Sequence, residues 1–369
     1  MKRRLTALLL LLLLLTGCGG RSGTGEAQAP VRSMELHYAE QFTVDYYADG
    51  SALLTIAGED RFLVLPPGME PPDHHRDATV IRQGAGPIYL AASSAMDLVL
   101  QLDALPQVRF TSTAAANWSL PEVREALEQE TLLYAGKYSA PDFELLLSEH
   151  TALAVESTMI YHSPEVREKL EALGIPVLVE RSSYEPHPLG RVEWIKVYGL
   201  LTGREQEAEA FFRDQERLLS GLSGAEPTGR TAAFFYVSSS GAAVVRKSGD
   251  YIAKMIAMAG GEYLPRDLGD GDNALSTVNM QMESFYAGAR EADVLIYNSA
   301  IAGELRTRED LLALSPVLSD FRAADTGALW CTEQNVFQQS SAFAGMIAEL
   351  HEILAGTAED EMQFFHRLK

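Results

Sequence analysis

Residues 179–196 read "VERSSYEPHPLGRVEWIK" and gather Arg181, Tyr184, His187 and Arg191 directly after the apolar run 175–179. Guanidinium forks pair with carboxylate or chelate oxygens, and tyrosine rings stack on large planar faces. Similar groups follow other apolar runs. "YAGKYSAPD" offers Lys137 and Tyr138, and "ESTMIYHSP" offers Tyr161 and His162. Further on, "FFYVSSSG" offers Tyr236, "VVRKSGDY" offers Arg246, Lys247 and Tyr251, and "LIYNSAI" offers Tyr297 and Asn298. In open α/β sheets, ligands sit beyond the carboxyl ends of the strands. The candidate ligand contacts are therefore Lys137, Tyr138, Tyr161, His162, Arg181, Tyr184, Arg191, Tyr236, Arg246 and Lys247, expected to line one cleft. A plainer reading competes with this one: strand-end tyrosines often pack, and Arg181 or Arg191 has Glu180, Glu185 and Glu193 as nearby partners.

Direct metal binding has weaker support, and no protein metal site is expected. His74 and His75 are adjacent and should point apart, and the chain has no His-x-x-His pair and no cysteine cluster. His162 and His187 are the histidines placed to ligate an iron or cobalt centre inside a bound complex. Cys331, beside Trp330, reads as a small buried hydrophobe. The chain also lacks a Gly-x-Ser-x-Gly elbow and a phosphate loop, so no catalytic residue is assigned.

The elements that must carry these groups alternate. From residue 78, apolar runs of strand length ("ATVIRQ", "VRFTST", "TALAVES", "IPVLVERS") are separated by helical patterns beginning near Pro121, Pro141 and Pro164. That rhythm implies a mostly parallel sheet covered on both faces. Ser139 and Asp142 have capping-box spacing, and Ser163 precedes Pro164 as a helix cap. A charged amphipathic helix spans 204–222, with Ala208, Phe211, Phe212, Leu218 and Leu219 on one side. A second strand–helix series starts at 231. Ahead of all this, "FTVDYYADGSALLTI" carries Asp49-Gly50 between two alternating runs, a hairpin signal over 42–56. The domain plan is thus a first α/β lobe at 36–203, a joining helix at 204–222 and a second α/β lobe at 223–369.

The chain opens "MKRRLTALLLLLLLLTGCGG", a basic segment followed by an apolar one, and this reads as a secretory signal over 1–17. Leu15-Thr16-Gly17-Cys18 resembles a bacterial lipobox, which implies lipidation of Cys18 and an extracytoplasmic protein anchored to the membrane. Residues 18–35 then form a small-residue tether. Formal net charge is −21, and loss of Lys2, Arg3 and Arg4 with the signal takes it to −24. Such a surface repels nucleic acid and anionic headgroups.

Three stretches resemble one family, the lipoprotein substrate-binding components of ABC importers for ferric siderophores, haem and cobalamin. They are "GKYSAPDFELLLSEHTALAVES", "YIAKMIAMAGGEYL" and "LSTVNMQMESFYAGAREADVLIYNS". The resemblance spans roughly 78–356 and departs where "EHTA" and "READ" stand in place of the usual Asn/Lys-Pro-Asp triplet. It implies two Rossmann-like lobes joined by one long helix with a ligand cleft between them. It also implies a monomer, no enzymatic activity, no resident cofactor, and a small-molecule metal complex (ferric chelate, haem or corrinoid) as cargo. Glu144 and Glu283, one per lobe, would dock on arginines of the ABC permease. A surface sensor or an extracytoplasmic enzyme on the same scaffold is the alternative.

Overall fold

The structure is a computed structural model that describes residues 29–222, 227–266, 268, 277–334 and 336–369. The signal segment, Cys18 and most of the tether lie outside the described residues.

Three sheets organise the chain. The first holds β1 (Arg32–Ser33), β2 (Phe42–Tyr46), β3 (Ala52–Ile56), β4 (Asp60–Leu65) and β5 (Thr79–Arg82) in sequence order. Its ladders are antiparallel except β4–β5, which is parallel. The turn at Asp49-Gly50 joins β2 to β3, and Gly50 takes φ +91°, a left-handed conformation that suits glycine. The expected hairpin is therefore the centre of a larger sheet. β5 also departs from expectation: "ATVIRQ" completes this first sheet rather than opening the lobe that follows.

Residues 37–41, between β1 and β2, have no ladder partner. Two buried carboxylates supply one. Glu193 accepts from the backbone N–H of His37, Tyr38 and Ala39, and Glu185 from those of Glu40 and Gln41. The Trp194 indole N–H also donates to Glu185, at 2.8 Å. Glu185 and Glu193 are thus committed to the fold and do not pair with Arg181 or Arg191.

The second sheet contains β6 (Ile88–Leu90), β7 (Val108–Thr111), β8 (Leu133–Tyr134), β11 (Leu153–Ser157) and β12 (Val177–Glu180), in the order β12-β11-β6-β7-β8 and all parallel. Its strands are apolar on both faces because helices cover both. A small ladder pairs β9 (Gly136–Lys137) with β10 (Ala140–Pro141). That ladder displaces the expected cap at Ser139: Asp142 itself caps the helix Phe143–Ser148, accepting from Leu145 N–H at 3.0 Å. Ser163 precedes the helix Pro164–Ala172 without a side-chain cap bond.

The third sheet orders as β16 (Thr277–Met280), β14 (Ala243–Arg246), β13 (Thr231–Val237), β17 (Val294–Tyr297), β18 (Leu329–Thr332) and β19 (Phe365–Arg367), with β15 (Glu262–Leu264) also paired to β13. β13, β15, β17 and β18 are mutually parallel and β14 and β19 run against them, while β16 pairs antiparallel with β14 and so points the same way as β13. This lobe is mixed because β13 and β14 are joined by the tight turn at 238–242, which permits only an antiparallel pair.

Helix Glu205–Leu222 lies in the chain between the second and third sheets. It packs on helix Ile195–Thr202, which is buried all round, and on helix Phe343–Ala355 from the third-sheet lobe. The close approach demands Gly199, where an added Cβ would sit 2.6 Å from the Ala208 Cβ. One apolar cluster runs through both lobes and includes Val192, Trp194 and Phe212 with Ile256, Phe343 and Ile347. Among the described residues no helix is long and apolar enough to cross a membrane.

Candidate ligand cleft

A cavity of about 660 Å³ lies between the two α/β lobes. Its first-lobe wall follows β7, where a 3₁₀ turn at Ala115–Asn117 leads into Trp118, Ser119 and the helix Pro121–Glu128. The Trp118 indole N–H donates to Thr113 O at 3.0 Å and pins that loop. The second-lobe wall follows β17 and β18 and contributes Ser299, Gly303, Gln334 and Gln338. Both walls are thus strand ends, as the general rule for open α/β sheets requires.

Gln338 bridges the lobes at the cavity. Its Oε1 accepts from Ser119 N–H at 2.8 Å and from the Ser119 hydroxyl at 2.6 Å, while its Nε2 donates to Asn117 O at 2.7 Å. Beside it, Ser341 N–H donates to Asp97 at 2.7 Å, again from one lobe to the other. Arg124 reaches the cavity from its exposed helix face and forms no ion pair among the described residues. The cavity thus presents amides, hydroxyls and one unpaired guanidinium, a set suited to an oxygen-rich or amide-bearing ligand.

The ten candidate contacts lie elsewhere, in two groups and several single positions. Arg181 donates from Nη1 to the Tyr161 hydroxyl and from Nε to Gln41, each at 3.2 Å, and its guanidinium lies 4.7 Å from the Tyr184 ring centre. This group caps the ends of β11 and β12 and is partly exposed. Arg191 and Arg246 come together from different lobes around Tyr251, at 4.1 and 5.9 Å from its ring centre. Arg191 is buried in the helix Pro188–Glu193 rather than carried on a loop. Arg246 ends β14 and faces Asp250 at 3.7 Å. Burial raises the Asp250 and Glu180 carboxyls above the usual range, and the nearby guanidiniums only partly offset it.

The remaining candidates are separate. Lys137 is exposed on β9, and Tyr138 leans half-buried on a first-lobe core. His162 is exposed at the end of a 3₁₀ turn. Tyr236 lies within β13 against the second-lobe core, and Lys247 is half-buried just past β14. His74 and His75 do not point apart. His75 has φ +51°, and its ring meets that of His74 edge-on with centroids 4.9 Å apart. His74 bonds to Asp49 at 2.7 Å.

Three further features were not foreseen. Glu156 on β11 is fully buried, neither carboxyl oxygen has a hydrogen-bond partner, and burial pushes its pKa up to about 8. Glu304, Glu333 and His366 bring one ligand-type atom each to within 4.8 Å of one another. The cavity amides come from "AANWS" and "EQNVFQQS", which both follow strands but carry no charge or ring pattern that marks them in the sequence. Cys331 is buried, and burial pushes its thiol up to about 12, as befits a packing residue.

Glu144 and Glu283 occupy matching places. Each is exposed, and each is the second residue of the helix that leads into the central part of its lobe's sheet, Phe143–Ser148 before β11 and Met282–Ala289 before β17. Neither forms an ion pair among the described residues.

Comparison with family models gives no match. Two curated relatives are uncharacterized lipoproteins of Methanocaldococcus jannaschii, 23% identical over 223 residues and 27% identical over 218 residues. These alignments cover 60% and 55% of this chain and about half of each relative, 52% and 53%. Among solved structures, the periplasmic heme-binding protein HutB of Vibrio cholerae superposes with a TM-score of 0.57 at 19% identity, covering 70% of this chain and 96% of its own. A periplasmic heme-binding protein of Pseudomonas aeruginosa gives 0.56 at 17% over 76% and 97% of the two chains. The vitamin B12-binding protein BtuF of Vibrio cholerae gives 0.51 at 11% over 73% and 96%. The strand–helix plan, the cavity between two sets of strand ends and these superpositions together identify the architecture: the chain has the two-lobed α/β fold of the periplasmic substrate-binding proteins.

Proposed function

We propose that this protein is an extracytoplasmic substrate-binding lipoprotein of an ABC importer. It captures a preformed metal complex between its lobes and passes it unchanged to the permease. The observation that carries this reading is the cavity of about 660 Å³ walled by the strand ends of both lobes, on a scaffold shared with heme- and B12-binding proteins. The lipobox at 15–18 and the lipoprotein names of the two curated relatives support an anchored, extracytoplasmic location.

The cavity lining favours a cargo whose metal is already fully coordinated. Asn117 and Gln334 offer exposed side-chain amides and Arg124 offers a charge, while Ser119 and Gln338 would have to give up their mutual bridge to bond a ligand. A ferric siderophore or a corrinoid, rich in carbonyl, carboxylate or amide groups, matches these donors better than a haem seeking an axial imidazole or phenolate. Arg181 with Tyr161 and Tyr184 would form a first-lobe rim. Glu144 and Glu283 would orient the loaded protein on permease arginines through charge-assisted pairs, one per lobe.

The test is quenching of intrinsic fluorescence in the chain from residue 19, which retains every described residue. Trp118 lines the cavity and is the reporter. Titration with ferric siderophores, haemin, cobalamin and cobinamide should give submicromolar quenching by one class. A folded sample silent to all of them would overturn the proposal, and haemin alone would overturn the preference for a coordinatively complete cargo.

A further inference from the structure

We infer that Glu304, Glu333 and His366 form a binding site for one first-row divalent cation of the zinc type, directly behind the second-lobe wall of the cleft. Glu304 follows the short helix Ser299–Ala302 at the end of β17, Glu333 follows β18, and His366 is the middle residue of β19. The antiparallel β18–β19 ladder sets His366 opposite Cys331 and so beside Glu333. The three ligand-type atoms lie within 4.8 Å of one another, and His366 Nδ1 is 2.5 Å from Glu333 Oε1. Tetrahedral bonds of about 2.1 Å hold ligand atoms about 3.4 Å apart, so closing this triad on an ion needs only side-chain adjustment.

Two observations separate this triad from an ordinary group of surface acids. The His366 ring is buried, and its Nε2 lies 2.7 Å from Leu305 O, a carbonyl that can only accept. Nε2 therefore carries a proton, and Nδ1 faces the two carboxylates, sharing with Glu333 a hydrogen bond whose proton a bound cation would displace. Anchoring one ring nitrogen on a carbonyl is the usual support of a metal-ligating histidine. In addition, Glu304 Oε1 is shielded from solvent, and the partner it has there is the exposed, displaceable guanidinium of Arg306.

The charge that now faces Glu304 is the Arg306 guanidinium, which also lies 3.7 Å from Glu333 and from Glu361. Arg306 is 56% exposed and free to swing outward, so it marks where a cation is wanted and competes for the place. An imidazole with two carboxylates suits Zn²⁺, Co²⁺ or Fe²⁺ better than Mg²⁺ or Ca²⁺. Gly303 and Gln334 line the cavity and are neighbours of Glu304 and Glu333 in the chain, so an ion here would tie β19 to the segments after β17 and β18 that form that wall. The metal site itself does not depend on the identity of the cargo.

The probe is Co²⁺, followed by its visible d–d absorption, added to the metal-stripped chain from residue 19, with Zn²⁺ as competitor. The expected result is one equivalent bound at micromolar affinity or tighter and displaced by Zn²⁺. Glu333→Gln and His366→Asn should each weaken it at least tenfold, whereas Arg306→Ala should tighten it several-fold. Glu304→Gln, at a partly exposed position, provides a variant whose far-UV circular dichroism should match the parent, and it too should weaken binding. Absence of saturable Co²⁺ binding, or saturable binding that these variants leave unchanged, would overturn the site, whatever the cargo titrations show.

Discussion

The guanidinium carbon of Arg191 lies 4.1 Å from the centre of the Tyr251 ring, and the two residues belong to different lobes. Arg191 comes from the helix after β12 and Tyr251 from the first turn of the helix after β14, and the Phe343 ring completes a triangle with them, 5.6 Å from the guanidinium and 5.5 Å from the Tyr251 ring. Both residues are buried, so the contact is desolvated and worth about 2 kcal/mol. It acts as a latch near the centre of the interlobe contact, with Gln338 and Ser119 closing the cavity end.

Arg191→Ala and Tyr251→Leu should each lower the urea midpoint. Their effects should be non-additive, with a coupling energy of about 1–2 kcal/mol in a double-mutant cycle. Strictly additive losses would show that the two residues pack independently and that the latch does not exist.

Glu156 makes stability depend on pH in a definite direction. Its folded pKa of about 8 stands above its ordinary 4.5, so between those values the folded state keeps a proton that the unfolded chain has released. Stability from this group is therefore greatest at low pH and is lost as pH rises, by about 5 kcal/mol. Glu156→Gln should raise the thermal midpoint at pH 8.5 and leave it nearly unchanged at pH 4.5. An equal shift at both values would mean that the carboxyl is not held protonated.

Glu144 and Glu283 are exposed at matching helix starts in the two lobes, which suits docking rather than folding. The double change to alanine should leave cargo affinity and thermal midpoint within error of the parent and abolish uptake by cells carrying the cognate permease. Full uptake by the double variant would remove these two residues from the docking surface.

Much of the architecture is legible in the chain. The apolar runs that became β7, β11, β12, β13 and β17, the turn at Asp49-Gly50 and the amphipathic helix Glu205–Leu222 are local patterns, set by side-chain period and turn chemistry. Where the reading departed from the structure, the missing information was non-local. "ATVIRQ" carries a strand pattern, but nothing in it says whether it pairs with β4 or joins the next sheet. The choice between Ser139 and Asp142 as a cap turned on the β9–β10 ladder.

The cleft shows the same division more sharply. Composition and strand-end position singled out cations and rings, yet the fold drew Arg191 and Arg246 together around Tyr251 and gave the cavity wall to Asn117, Ser119, Gln334 and Gln338. Likewise Glu304, Glu333 and His366 are far apart in the chain and meet because β17 and β18 end side by side and β19 returns antiparallel along β18. The sequence by itself determined the elements, because propensity and periodicity act over a few residues. Only the tertiary structure decided which side chains share a site, because register and lobe packing bring together residues whose spacing along the chain carries no trace of it.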